Sequence, residues 1–540
     1  LTTTDEPSGE PPLRVVEAGQ RLSSSLLWDL QRSFFEQQGE SAWSCGLVPQ
    51  YITSNPWIAN AYAQVVLGWL RDGGFDLRHP VYVLELGCGS GRFGYLFLNR
   101  LRDLLARSPL AQVRIRYVLT DFHAGTLEAL RNHPALQDLL AEGALDFAVY
   151  DAFQGAFQGG GAEQEIRLLH SGEVLAPHTL HNPLAVVANY VFDSIPQDAF
   201  TVRGGVLFDV RLTVKAPLSE AAEIDRGDPA ILDRLELEWV ETSAAEAPYG
   251  DPELDRLLRE SAERLDGTTF LFPCAAIRSL RHLARLADGR LLLLSGDKGY
   301  CQEEQLEGLE ALGLTIHGSF SFGVNYHALG QWLVHRGGTF LSTTHVSSSL
   351  AVVAGLLGEP PGGSIEMRLA FDEAVERTGP DDFFDLKRGL ETAAESLTLP
   401  QLLAWVRFSG WDAHVLLALF PALMQHARPA PDPLRHEIDR MVQEVWSRHF
   451  PVREPGDLPF HLGVLLCEIE RYGDALPFFH ESLGLYGPNG ATLFNVALCL
   501  FHLGDLEAAR AHLDQTAELA PDYEPAAVLR QEIAAALQSG

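Results

Sequence analysis

The stretch VYVLELGCGSGRFGYLFLNRL, Val81 to Leu101, sets Glu85 ahead of Gly87, Gly89, Gly91 and Gly94. Glycine carries no Cβ, so this spacing leaves a bare main chain against which a ligand can lie. The apolar run before the glycines reads as a buried strand and the amphipathic run after them as a helix. A helix starting there turns unbonded N–H groups toward whatever the loop holds. Further acids follow in order. Asp121 closes the next apolar run, in TDF, with Phe122 beside it, and Asp151 closes a third, in VYDAF, with Ala152 after it. A carboxylate at such a strand end can accept both hydroxyls of a sugar, or an amine, through charge-assisted bonds. A single strand-end Asp is commonly a turn or helix-cap residue. Acids at successive strand ends point instead to one ligand lying across them.

Three readings of the loop are open. Gly89-x-Gly91-x-x-Gly94 fits the dinucleotide fingerprint GxGxxG, but there the first glycine follows the strand directly, and here Gly87 and Cys88 intervene. A purely structural turn is the second. In the third, the loop resembles that of class I S-adenosylmethionine (SAM)-dependent methyltransferases, where the chain passes under the methionine part of the cofactor. That resemblance implies SAM as cofactor, with Glu85, Gly87, Cys88, Gly89 and Gly91 around its methionine. It also implies Asp121 on the ribose, Phe122 against the adenine, and Asp151 with Ala152 near the adenine amino group.

The elements that must position these residues alternate. VYVLEL is a strand, RFGYLFLNRLRDLLAR a helix, VRIRYVLTDF a strand, HAGTLEALRNHPALQDLL a helix and ALDFAVYDAF a third strand. Short apolar strands separated by amphipathic helices build βαβ units on a parallel sheet. After the Gly-rich GAFQGGGAEQ, PLAVVANYVFDSIP gives a fourth strand, and FTVRGG with VLFDVRLTV a hairpin turned at Gly204-Gly205. GRLLLLSGDKGY is another buried strand, and strands near 315 to 342 close the sheet. The fold class is thus α/β: a Rossmann-like class I methyltransferase sheet with helices on both faces, followed by an all-α C-terminal region.

Around the fourth strand end, VVANYVFDSIPQDAF, the chain resembles the MidA-like family of SAM-dependent methyltransferases, which includes protein arginine methyltransferases. Asn189, Phe192, Asp193 and Pro196 match the family's NEFFDALPV. Thr53, Ser54 and Pro56 match its TSPE segment, and GRLLLLSGDKGY its strand ending in DYG. The resemblance covers roughly residues 45 to 345. It implies an acceptor site formed by Asp193, Asn189, Tyr190 and Asp297, with Asn189 also near the amino-acid end of the cofactor. Two departures weaken an arginine acceptor: the family's glutamate is Tyr190 here, and DYG has become Gly296-Asp297-Lys298-Gly299. Lys298, Tyr300 and His327 are further candidates for the same mouth.

Expected domains are a disordered tail over 1–12, a helical N-terminal segment over 13–75, and the methyltransferase domain over 76–345. An acidic, helical insertion is expected at 216–266, a helical region over 365–450, and tetratricopeptide (TPR) repeats over 451–540. The repeats rest on Tyr472, Ala475, Phe479 and Leu483 recurring 34 residues later as Leu506, Ala509, Leu513 and Ala517; PAPDP at 429–433 reads as a linker. Repeat arrays hold extended peptides or partner helices. A protein or peptide substrate or partner is therefore expected, with a small-molecule acceptor or a non-catalytic scaffold as alternatives. The net charge of −32 argues against a nucleic-acid partner. No apolar run is long enough for a membrane span, and the start LTTTDEPSGEPPLR has no signal-peptide pattern. Six scattered cysteines without a CxxC pair suit reduced thiols in a cytoplasm and neither a disulfide frame nor a metal site. Three lysines stand against thirty-seven arginines.

Overall fold

The computed structural model describes residues 12–39, 50–153, 165–217, 225, 229–317, 319–346, 349–452 and 454–539. The expected tail (apart from residue 12), Cys45, all of GAFQGGGAEQ and positions 218–224 and 226–228 of the expected insertion lie outside these. The chain divides into two units, Leu1–Asp381 and Asp382–Gly540.

The first unit is built on a seven-stranded sheet. In chain order its strands are Val81–Leu86, Ile115–Asp121, Leu145–Val149, Leu184–Asn189, Leu291–Asp297, Thr339–Ser342 and Ala351–Leu357. Numbered one to seven, they lie in the spatial order 3-2-1-4-5-7-6. The first five are parallel; the seventh runs antiparallel to the fifth and to the sixth. Strands covered by helices on both faces must be apolar on both. Accordingly, every residue of VYVLEL is buried. The order reverses between strands one and four, so the connections leave on opposite faces and a crevice opens at the carboxyl ends there. The expected Rossmann-like sheet is present, but it closes with Thr339–Ser342 and Ala351–Leu357. Thr315–His317 and Ser319–Ser321 pair only with each other.

Beside it lies a second, antiparallel sheet that corrects two expectations. Leu13–Arg21, expected to be helical, is a strand paired with Val206–Pro217. Its apolar residues are spaced too irregularly to mark a face, and the pairing strand decides its conformation. Glu236–Ser243, inside the supposed helical insertion, is also a strand on Val206–Pro217. Leu237 and Trp239 alternate there with exposed Glu236 and Glu238, a period of two that the acidity disguised. The helical parts of that region among the described residues are the 3-10 turn Pro229–Arg234 and the α-helix Pro252–Arg264. Asp198–Arg203 and Val206–Pro217 form the expected hairpin, with Gly204 and Gly205 at φ +59° and +74°.

The first unit also runs past residue 345, to Asp381. Helix Ile365–Phe371 lies on helix Pro56–Asp72, whose Asp72 carboxylate caps it by accepting the N–H groups of Glu366 (2.8 Å) and Met367 (3.0 Å). A Cβ on Gly68 would stand 2.5 Å from the Glu366 carbonyl oxygen. Strand signals do end before 365, but that helix belongs with the sheet.

The second unit is helical throughout its described residues. Helices Leu458–Glu468 and Tyr472–Tyr486 are followed by Gly490–Leu503 and Leu506–Leu519. The repeated Ala475 and Ala509, and Phe479 and Leu513, are fully buried, as the packing of paired helices requires. PAPDP is no interdomain linker; it is the turn between helices Ala413–Ala427 and Asp432–Arg448. Cys467 and Cys499, far apart in sequence, have their sulfurs 3.5 Å apart. No helix among the described residues is long and apolar enough to cross a membrane.

Glu85 turns out to be a structural residue. Its carboxylate lies under the helix Arg92–Ala106, accepts the Tyr117 hydroxyl at 2.8 Å, and would stand 2.6 Å from a Cβ on Gly94. Burial pushes it up to about 8, further than the tyrosine hydrogen bond pulls it down.

Two outcomes follow for stability. Gly68→Ala forces two backbones apart and should cost about 1–3 kcal/mol, read as a lower melting midpoint. Gly389→Ala, in open space on the exposed side of helix Pro380–Thr392, should be neutral or stabilising by about 0.5–1 kcal/mol. A raised carboxyl favours the fold while protonated, and that contribution is lost as pH rises from its unfolded value of 4.5 to about 8. Melting curves of Glu85→Gln should therefore match the parent near the lower pH and lie above it beyond the upper one. Equal curves throughout would show that the carboxyl is not held neutral.

Candidate active site

The carboxyl ends of strands three, two, one, four and five open onto one cavity of about 410 Å³, within the ~300–1,000 Å³ usual for small-molecule sites. It sits at the reversal of strand order. The residues that line it come from five strand-end loops, the helix Leu27–Gln38, Thr315, Ser319–Ser321 and Ser349.

At strand one, Gly87 lines the cavity with φ +59°, and a Cβ on it would be 3.1 Å from Val191. Gly89 and Gly91 are also left-handed, at +49° and +74°. Gly91 faces Leu130 at 2.8 Å from an added Cβ, so its bareness serves packing. Cys88 is buried beneath the loop, its thiol pushed well up by burial and its N–H bonded to the Thr120 carbonyl at 2.9 Å. Of the expected cofactor loop, Gly87 faces the cavity, while Glu85, Cys88 and Gly91 hold the loop in place.

At strand two, Asp121 is buried, lines the cavity and accepts the N–H of His123 at 2.9 Å. Main-chain N–H groups of Gly89 and Phe122 also favour its charge, yet burial outweighs them and raises it to about 6. At strand three, Asp151 and Ala152 line the cavity as expected. The Asp151 carboxylate, however, accepts the Arg32 guanidinium at 2.5 Å, and that guanidinium also lies 4.7 Å from the centroid of Phe122. Asp151 is thus paired with Arg32, and one face of Phe122 is stacked on that cation.

At strand four, Tyr190 lines the cavity in the left-handed region, φ +53°, a conformation that costs a bulky residue of order 1–3 kcal/mol. Its N–H is held by the Gly296 carbonyl at 3.0 Å. Asp193 lines the cavity, largely buried, and accepts the Ser194 hydroxyl at 2.8 Å. The other two acceptor-site candidates do not reach it. Asn189 points behind the strand, accepting the Tyr62 hydroxyl at 2.9 Å. Asp297 is fully buried and accepts the N–H of Phe192 at 3.1 Å. Burial, then the neighbouring Asp193, pushes it well up, against the N–H groups of Phe192, Asp193 and Val191 that pull it down, and it pins the 190–193 loop from beneath.

Lys298 follows strand five and lines the cavity. Tyr300 does not; its ring packs on Gly323. Nor does His327, which meets Glu303 at 3.4 Å and Gln331 at 3.0 Å elsewhere. Thr53 and Ser54 both donate to the Gln50 carbonyl, and the Gln50 side chain accepts the Ser90 hydroxyl at 2.9 Å. That segment braces the glycine loop from outside the cavity.

Sequence reasoning missed the wall made by helix Leu27–Gln38. Trp28, Gln31, Arg32 and Phe35 share one of its faces and all line the cavity. Trp28 is fixed by its ring N–H to the Leu22 carbonyl at 2.6 Å, and Gln31 donates to the Phe320 carbonyl at 2.7 Å. The i, i+3, i+4, i+7 spacing was legible; what that face covers was not. The arrangement can hold a flat ligand along the strand ends, with hydroxyls at Asp121 and a reacting atom near Gly87 and Asp193.

No family model matches the chain, and no curated protein matches it. It is similar to an uncharacterized ACR superfamily protein from Burkholderia thailandensis, 15% identical, covering 59% of this chain and 73% of that one, TM-score 0.35. A member of the same superfamily and organism bound to S-adenosyl-homocysteine is 14% identical, covering 54% of this chain and 64% of that one, TM-score 0.34. A thermophilic TPR protein of Thermus thermophilus is 18% identical, covering 32% of this chain and 90% of that one, TM-score 0.22. Likeness of this degree carries no residue role and no activity over to this chain.

Proposed function

We propose that the first unit is a SAM-dependent methyltransferase. The observation that carries the reading is that buried Asp121 and left-handed Gly87, at adjacent strand ends, face one cavity of cofactor size. The residues fit the group. Ribose hydroxyls would meet the Asp121 carboxylate, and the sulfonium part would lie where any Cβ on Gly87 would intrude. SAM, when bound, supplies an electrophilic methyl: the acceptor's lone pair forms the new bond to carbon as the carbon–sulfur electrons return to sulfur. The chain's contribution is alignment and exclusion of water, which govern an in-line displacement. Helix Leu27–Gln38 covers the site. Asp193 is placed to orient the acceptor and take its proton, with Tyr190 alongside. Asp297 acts as a positioning residue by holding the 190–193 loop.

The acceptor is read as a group on a protein or peptide brought by the TPR-like unit, which presents the paired-helix packing of peptide-binding repeats. Arginine is less favoured within that class. Of the acids suited to a guanidinium fork, only Asp193 lines the acceptor end, and Asp297 is turned away.

In a calorimeter, Asp121→Ala should weaken SAM binding by at least roughly 100-fold, about 2.7 kcal/mol, at a temperature where the variant's melting curve shows it folded. Because the ionised carboxylate is the acceptor and it titrates near about 6, affinity in the parent should rise from pH 5 to 7 and then level, while Asp121→Asn should show a flat profile. Unchanged affinity in Asp121→Ala would sink the cofactor assignment. Incubation with methyl-labelled SAM and a cell lysate should give a labelled product; none of any size would leave a binding scaffold.

A further inference from the structure

The chain has three lysines, Lys215, Lys298 and Lys387. Lys215 is paired with Glu238 at 2.8 Å and Lys387 with Glu391 at 2.6 Å. Among the described residues Lys298 has no ion pair, and it is the one that lines the cavity. The cavity's other cation, Arg32, is committed to Asp151 and to Glu36 at 3.0 Å. A second polar group is also uncommitted there. Ser319 lines the cavity, is 1% exposed, and its hydroxyl oxygen has no hydrogen-bond partner among the described residues. A buried hydroxyl left without a partner costs about 1–3 kcal/mol, so an occupant that bonds it recovers that cost.

Topology places Lys298 at the acceptor end. Across the sheet the cavity runs from Asp151 and Asp121, through Gly87, to the 190–195 loop and then Lys298. The Lys298 carbonyl accepts the N–H of Val324 at 2.8 Å, and the Asp193 carbonyl that of Phe322 at 3.2 Å, so residues 322–324 lie along the same edge and lead to Ser319, which lines the cavity with them. With a nucleoside at Asp121 and its reacting carbon near Gly87, whatever lies beyond Asp193 belongs to the acceptor. An anion cannot be desolvated among Asp29, Asp121, Asp151 and Asp193 unless a cation faces it. Lys298 is that cation.

We propose that Lys298 and the Ser319 hydroxyl form an anion subsite, and that the acceptor carries a carboxylate or phosphate group next to its methylated atom. The inference rests on the methyltransferase reading. It narrows the acceptor to anionic molecules, because a guanidinium acceptor would meet Lys298 as a like charge. Asp193 then serves the nucleophile while Lys298 anchors the anion, one charge for each task.

The test is calorimetry on the full chain saturated with S-adenosylhomocysteine, titrated with benzoate, phenyl phosphate, neutral benzamide and cationic benzamidine. Benzoate and phenyl phosphate should bind at least roughly tenfold more tightly than benzamide, and benzamidine least of all. Lys298→Met should remove that preference and Lys298→Arg should restore most of it, with affinity for S-adenosylhomocysteine moving less than about twofold. Ser319→Ala should weaken benzoate by roughly threefold. Benzamidine binding as well as benzoate, or benzoate indifferent to Lys298→Met, would overturn the proposal. So would a Lys298→Met variant that loses S-adenosylhomocysteine but keeps 5′-methylthioadenosine, since the lysine would then hold the cofactor's own carboxylate. Failure of the unaltered protein to bind S-adenosylhomocysteine would instead contradict the methyltransferase reading itself, and the inference with it.

Discussion

The loop after the fourth strand lies directly on the loop after the first, and the site depends on that approach. Val191 stands where a Cβ on Gly87 would be only 3.1 Å away, so any larger residue there would push the two loops apart. Their contact closes one side of the crevice left by the reversed strand order. The approach is held from below. Asp297, fully buried, accepts the Phe192 N–H, while Gly296 accepts that of Tyr190 and keeps this bulky residue left-handed. Burial and the neighbouring Asp193 both disfavour a charge on Asp297.

Several residues that look alike in sequence divide sharply by role. Asp121, Asp151, Asp193 and Asp297 all follow apolar strands. Asp121 and Asp193 both line the cavity. Asp151 spends its carboxylate on Arg32, and Asp297 spends its own on the backbone. The glycines divide likewise: Gly87 lines the cavity and admits the facing loop at Val191, whereas Gly91 and Gly94 admit Leu130 and Tyr117. Charge in the cavity is therefore zoned, with a cancelled pair at one end, acids in the middle and Lys298 at the other.

What could be read from the sequence was whatever local pattern decides. The first five sheet strands are continuous apolar runs because both their faces are covered, and all were legible, as were the hairpin at Gly204-Gly205 and the 34-residue repeat. What could not be read depends on distant partners. Leu13–Arg21 becomes a strand only because Val206–Pro217 offers an edge. Ile365–Phe371 joins the first unit through Asp72 and Gly68, neither of which marks it in sequence. Arg32 shows the same limit. Its helical face was visible, but its place over Phe122 is set by Trp28 and Gln31 gripping the Leu22 and Phe320 carbonyls.

A crystal structure of the protein grown with S-adenosylhomocysteine examines the central claim most directly. The account requires the ribose hydroxyls within hydrogen-bond distance of Asp121 and the sulfur over Gly87, its free side facing Asp193. A ligand seated elsewhere, or strand ends that remain closed to it while it binds another surface, would contradict the account.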